Sequence, residues 1–200
     1  MWKALLEHTR REISACSEET RIYFDTSFNR YLETLGFLNP QKPARLLDLG
    51  CSPGHLAMAL SLSGLEVTGL DFHEEYPKRY LPEQWRQRLD IRYADLEREP
   101  LPCPDNSFDY ITCCEMIEHL AIRHPKEIMT EAFRVLRPGG VMVLSTPQAA
   151  NLGHVLALCQ GTNVFWKEEL FYGGLDRHNR EFTFLEIQRM MAGTPFQEAQ

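Results

Sequence analysis

Apolar residues recur at helical spacing through Leu5 and Ile13, then through Tyr23, Phe24, Phe28, Tyr31, Leu32 and Leu35. This spacing predicts two helices within residues 1–38. Pro40 and Pro43 close that layer. After them the pattern changes to short, nearly continuous apolar runs. These predict strands at 44–49, 66–70, 91–93, 110–113 and 141–145, with helices at 55–63 and about 126–135. The fifth strand follows a predicted turn, Arg137-Pro138-Gly139-Gly140. Apolar strands that alternate with helices imply a mainly parallel sheet covered on both faces. Right-handed crossovers then lead to a doubly wound α/β fold, here with strand order 3-2-1-4-5. Residues 147–178 read as irregular and contain Phe165, Trp166, Phe171 and Tyr172. A segment of that length predicts a lid or an acceptor-binding insert, and its aromatics would either cover an acceptor or pack the insert onto the sheet. Thr183-Phe184-Leu185-Glu186 has the capping-box pattern and opens a last helix. The expected organisation is one domain, with a helical cap at 1–43 and an α/β unit at 44–200.

Composition narrows the function classes. The 200 residues carry a formal net charge of -7, which disfavours long nucleic-acid tracks built on clustered Lys and Arg. Cys16, Cys51, Cys103, Cys113, Cys114 and Cys159 show no CxxC pair. They point to reduced thiols in a cytoplasmic protein rather than to a zinc site or a disulfide framework. Charges spread through the first 19 residues argue against a secretory signal, and no uncharged apolar run approaches a membrane span.

The stretch Leu46-Leu47-Asp48-Leu49-Gly50-Cys51-Ser52-Pro53-Gly54 reads as a buried strand that breaks into a glycine turn and opens a helix. Glycine there allows close approach of a ligand to the main chain. Dinucleotide-binding proteins share such a turn. Here Ser52 stands where their fingerprint has Gly, and no further Gly opens the helix, which argues against a pyrophosphate on the helix N-terminus. The second strand ends in Asp71, 17 residues after Gly54. A carboxylate at that strand end can accept both hydroxyls of a ribose; a solvated strand-end acid is the alternative.

LLDLGCSPGHLA, EVTGLD, YADLEREPLP, NSFDYITCCEMIEHL and EAFRVLRPGGVMVLSTP follow one another over residues 44–147. In order and spacing they resemble class I S-adenosylmethionine-dependent methyltransferases. The likeness is to the branch of ubiquinone-pathway O-methyltransferases and small-molecule and glycan methyltransferases. It implies a Rossmann-like fold with S-adenosylmethionine as cofactor. By position, Asp48, Gly50, Cys51, Ser52 and Gly54 would line its methionine part and Asp71 its ribose. Asp95 and the Leu96 amide would meet the adenine, and Cys114 and Glu115 would lie near the amino group and sulfonium. Ser52 departs from the usual G-x-G-x-G turn. Family members follow the last helix with two more strands, so the resemblance also implies that C-terminal strands are missing here.

Helical continuation after the fourth strand would put Glu115, Glu118 and His119 on one face, at i, i+3 and i+4. Two carboxylates and an imidazole suit a divalent cation. Alternatively, Glu118 and His119 form a hydrogen-bonded rim, with His119 a general base or structural. The resemblance adds that E-x-x-E-H binds metal in the ubiquinone O-methyltransferases and in small-RNA 2′-O-methyltransferases. The segment Asp176–Thr183 resembles the one that supplies a further His in the small-RNA enzymes, which makes His178 a fourth candidate ligand for magnesium or manganese. His8, His55, His73, His124 and His154 lack such partners and read as surface or packing residues. Three functional readings remain open: O-methylation of a small-molecule or glycan hydroxyl, with Glu118 and His119 catalytic; metal-dependent RNA 2′-O-methylation; and a cofactor-binding domain without turnover.

Overall fold

The computed structural model describes residues 1–14, 16–41, 43–164 and 177–196. The expected lid aromatics Phe165, Trp166, Phe171 and Tyr172 lie outside the described residues.

Two helices open the chain, α1 (Trp2–Ile13) and α2 (Glu18–Leu38). Ser17 caps α2 by accepting from the Thr20 amide, and Asn39 ends it in the left-handed region at φ 33°. Then follow β1 (Arg45–Leu49), α3 (His55–Leu62), β2 (Glu66–Asp71), α4 (Glu75–Tyr80), α5 (Glu83–Arg86) and β3 (Asp90–Tyr93). β4 (Phe108–Cys114) leads through a single 3-10 turn (Ile117–His119) to α6 (Pro125–Val135) and β5 (Leu136–Ser145). α7 (Leu152–Cys159) and α8 (Phe184–Ala192) complete the described elements.

The five strands form one sheet in the order β3-β2-β1-β4-β5, and every pair is parallel. This is the expected order. Alternation along β1 sends Leu46 into one apolar layer and Leu47 and Leu49 into the other. The first layer joins the sheet to α1, α2 and α3 through Leu6, Phe24, Leu35, Met58 and Leu60. The second joins it to α6 through Ile128, Met129, Ala132 and Val135. Strand order reverses between β1 and β4, so their carboxyl ends flank the crevice where such sheets bind ligands.

Three local differences from the sequence reading have physical causes. The turn expected at 137–140 lies inside β5: Phe108 pairs with Leu136, and the next pair is Tyr110 with Val141. The extra residues loop out at Gly139, which adopts φ 79°, and Arg137 pins the loop by donating to Asp109 Oδ1 at 2.6 Å. The short helices α4 and α5 have too few apolar positions to show a period. Inside the segment read as irregular, Leu152–Cys159 forms α7, whose apolar residues surround it on all sides. No helix among the described residues is long and apolar enough to cross a membrane.

His55 opens α3 and is fully buried beneath α2, edge-on to Phe24 and Tyr23. Its Nε2 lies 3.3 Å from the Tyr80 carbonyl oxygen, and its Nδ1 has no hydrogen-bond partner among the described residues. Burial lowers its pKa from 6.5 to about 4. A depressed histidine contributes stability above its unfolded pKa and loses it as pH falls through the folded one. Between pH 6.5 and 4 the imidazole therefore withdraws up to roughly 3 kcal/mol. Urea unfolding at pH 7 and 4.5 should show His55→Leu losing less stability on acidification than the wild type. Equal losses would mean that the ring takes up its proton without cost.

Candidate functional site

A cleft of about 780 Å³ lies over the carboxyl ends of the strands, lined by residues that include Gly50, Ser52, Asp71, Asp95, Leu96, Glu115, His119 and His178. A small polar annex of about 40 Å³ adjoins it, lined by Tyr23, Arg30, Asp48, Cys51, Cys114 and Glu115 among others.

The glycine turn forms the floor. Gly50 and Cys51 both donate to the Leu70 carbonyl oxygen, at 2.9 and 3.2 Å. Gly50 stands at φ 67° and Gly54 at φ 97°. A Cβ on Gly50 would lie 2.6 Å from Met116 Cγ, and one on Gly54 2.5 Å from Leu81 Cδ1. Protein packing and backbone conformation thus require these glycines even before a ligand is considered. Gly54 is the N-cap of α3 and lines neither the cleft nor the annex.

Asp71 is not the solvated strand-end acid that its position allowed. It is buried, with Oδ2 accepting from Ser52 N at 2.8 Å and Oδ1 from His73 N at 2.9 Å. It therefore joins the glycine turn to the turn after β2. Asp48 lies deeper and accepts from Thr112 Oγ1 at 2.7 Å. Burial, reinforced by the Asp71 charge, raises its pKa to about 7.

The annex holds a cation that the sequence reading missed. Arg30 projects from α2 and lies with Nη1 3.1 Å from Glu115 Oε2. Its legible signal was its place seven residues after Tyr23, on the same face of the helix. Glu115 also accepts from Ser145 Oγ at 2.9 Å. Cys114 lies 3.6 Å from Thr34 Oγ1, and burial raises its thiol to about 11. At the other end, Asp95 accepts from Glu97 N and from Arg98 at 2.8 Å. His73, read as a surface or packing residue, lines the cleft beside Tyr76.

The helical face expected for Glu115, Glu118 and His119 does not form. Glu115 adopts φ 53°, which breaks the chain out of helix, and only the 3-10 turn follows. Glu118, His119 and His178 nevertheless come together, with ligand atoms all within 4.8 Å of one another. Glu115 is not in that group, because Arg30 and Ser145 hold its carboxylate. Backbone docking delivers His178: Asn179 N and Arg180 N donate to the Glu118 carbonyl oxygen, at 2.7 and 3.1 Å, and Asn179 Nδ2 donates to that of His119 at 2.6 Å. His119 Nδ1 lies 3.0 Å from the Arg177 carbonyl oxygen, and His178 Nδ1 lies 2.9 Å from Glu181 Oε1. Glu118 is fully buried, with Oε2 accepting from Thr146 Oγ1 at 2.9 Å. Its Oε1 has no donor among the described residues, and burial raises its pKa to about 7. A buried carboxylate oxygen without a donor, beside two imidazoles fixed through Nδ1, fits a divalent cation.

A family model described as methyltransferase domain matches residues 47–144. The ubiquinone biosynthesis O-methyltransferase of Psychrobacter cryohalolentis is 37% identical over 155 residues, covering 76% of this chain and 58% of the relative. That of Psychrobacter arcticus is 38% identical over 105 residues, covering 51% and 40%. The chain thus spans about half the length of these curated relatives. Among solved structures, a SAM-dependent methyltransferase from Archaeoglobus fulgidus aligns with a TM-score of 0.66 at 15% identity, over 87% of this chain and 69% of that one. Phosphoethanolamine N-methyltransferase 2 of Haemonchus contortus, in complex with S-adenosyl-L-methionine, aligns at 0.61 and 20% identity, over 86% and 37%.

The double role of Asp71 has a measurable cost. Asp71→Ala leaves one amide on each of two half-buried turns without its acceptor and should lower unfolding free energy by about 1–3 kcal/mol. Asp71→Asn keeps one acceptor and should lose less. Denaturant midpoints unchanged in both variants would show that the carboxylate does not hold the turn.

Proposed function

We propose that this chain, whose residues 47–144 match the methyltransferase-domain model and whose relatives include ubiquinone biosynthesis O-methyltransferases, is a class I S-adenosylmethionine-dependent O-methyltransferase acting on a small-molecule or glycan hydroxyl. One observation carries the reading. A single cleft runs from Asp95 and Leu96, past Asp71 and the glycine turn, to Glu115 and His119, with the Arg30 annex on its flank. These are the groups needed along an adenine, a ribose and an amino acid, in that order. The names of the O-methyltransferase relatives support oxygen as the methylated atom.

In this reading Arg30 meets the carboxylate of the methionine part, and Asp48 and Glu115 attract its ammonium. Asp71 keeps lone pairs beyond its two amide bonds for the ribose hydroxyls. Asp95, already oriented by Arg98 and the Glu97 amide, takes the adenine amino group, with the Leu96 amide, which also donates to the Ala94 carbonyl oxygen at 3.1 Å, beside the ring. When bound, S-adenosylmethionine supplies an electrophilic methyl group on sulfonium. The protein has to place the acceptor oxygen in line with it and remove the proton. Without a cation, His119 takes that proton at Nε2, its ring held through Nδ1 by the Arg177 carbonyl; with one, Nε2 is a ligand instead. Glu118, His119 and His178 would hold a divalent cation, whose chemistry there is to lower the pKa of a coordinated hydroxyl. With two imidazoles and one carboxylate, the donor set suits manganese better than magnesium, which prefers oxygen ligands.

RNA 2′-O-methylation is the second reading, favoured by one observation, the arrival of His178 beside Glu118 and His119. The net charge of -7 weighs against it.

S-adenosylmethionine and S-adenosylhomocysteine should raise the melting temperature, by an amount equivalent to about 2.7 kcal/mol at a hundredfold excess over Kd. NAD should not; the reverse pattern would defeat the cofactor reading. Transfer of labelled methyl in an acceptor screen should fall at least tenfold in excess chelator and in His178→Ala, the order expected when a metal site is disrupted. Full activity in chelator would leave His119 as a simple base.

A further inference from the structure

Two neighbouring loops line the cleft. Residues 95–99, after β3, hold Asp95 and Leu96, the nucleoside end. Residues 120–123 continue from the 3-10 turn that bears Glu118 and His119, and Leu120, Ala121 and Ile122 line the same cleft. The two loops grip each other. The Glu97 carboxylate accepts from three successive backbone amides, those of Ala121, Ile122 and Arg123, all within 2.9 Å. In return Arg123 Nη1 donates to the Leu96 and Glu99 carbonyl oxygens, at 3.1 and 2.7 Å.

Successive amides that converge on one point form an anion-binding nest, and bonds to a charged acceptor are stronger than neutral ones. Here the anion is a side chain of the opposite loop. Leu96, whose amide is assigned to the adenine ring, has its carbonyl held by Arg123, while Glu97 donates its own amide to Asp95 Oδ1 at 3.0 Å. Each partner of the grip is thus bonded to a residue of the nucleoside end.

We propose that Glu97 and Arg123 are positioning residues for the nucleoside. By clasping 95–99 to 120–123 they hold Asp95 and Leu96 where adenine is read; Glu97 also lines the cleft, but both its carboxylate oxygens are taken by the 121–123 amides. The inference rests on the S-adenosylmethionine reading. Losing one or two charge-assisted bonds that order a binding loop corresponds to roughly a tenfold loss of affinity.

The test is calorimetric titration of S-adenosylhomocysteine and of adenosine into the wild type, Glu97→Gln and Arg123→Gln, at a temperature where all are folded. Glu131→Gln is the control: Glu131 binds the Leu101 amide and Arg134 away from the cleft. Glu97→Gln and Arg123→Gln should weaken both ligands alike, by about tenfold, and Glu131→Gln neither, even where its melting temperature falls as far. Lower melting temperatures with unchanged affinities would make the clasp merely structural and overturn the proposal. So would a loss confined to S-adenosylhomocysteine, which would place the effect at the methionine end. Absence of binding by the wild type would overturn the cofactor reading, and the inference with it.

Discussion

The arrangement of the cleft depends on one buried carboxylate. Asp71 ends β2 and satisfies an amide on each of two turns, the glycine turn at Ser52 and its own exit at His73. Buried backbone donors need partners, and here the partner is charged, so both turns are fixed relative to the sheet. From that fixed floor, Gly50 packs on Met116, which leads into the turn of Glu118 and His119. A sheet of five parallel strands would exist without Asp71. A cleft with defined walls at its carboxyl ends would not.

The fold was legible because its signals are local or short-ranged. Continuous apolar strands, a glycine turn and a capping box each report on a few neighbouring residues. The placement of Asp71 and Asp95 at the cleft was legible for the same reason, since they end or follow strands. What could not be read depends on long-range contact. Arg30 pairs with Glu115 from a helix that sequence pattern marked only as a cap. The i, i+3, i+4 face failed because Ser145 and Arg30 hold Glu115 in a left-handed conformation, and nothing in E-x-x-E-H announces that. Glu118, His119 and His178 still converge, through backbone bonds of the kind that leave no mark on side-chain pattern.

The site also stores unfavourable charge. Asp48 and Glu118 are both raised to about 7, chiefly by burial. A raised acid favours the folded chain most at low pH, and that contribution is lost as pH rises through 7. His55 acts in the opposite sense, over a lower range. Near neutrality the two acids are therefore poised. Each can be neutralised by a proton or by a cation placed beside it.

The distance along the chain between Arg30 and His178 has a consequence for how the protein comes into being. Its candidate site residues are drawn from an N-terminal helix, three strand ends and a segment near residue 180. Closing contacts over so many residues is entropically slow, and such contacts form after local structure. No early intermediate or proteolytic fragment can hold the complete set. Ligand affinity is thereby a property of the finished tertiary structure alone, and retention on an immobilised ligand would sort fully folded chains from compact but unfinished ones.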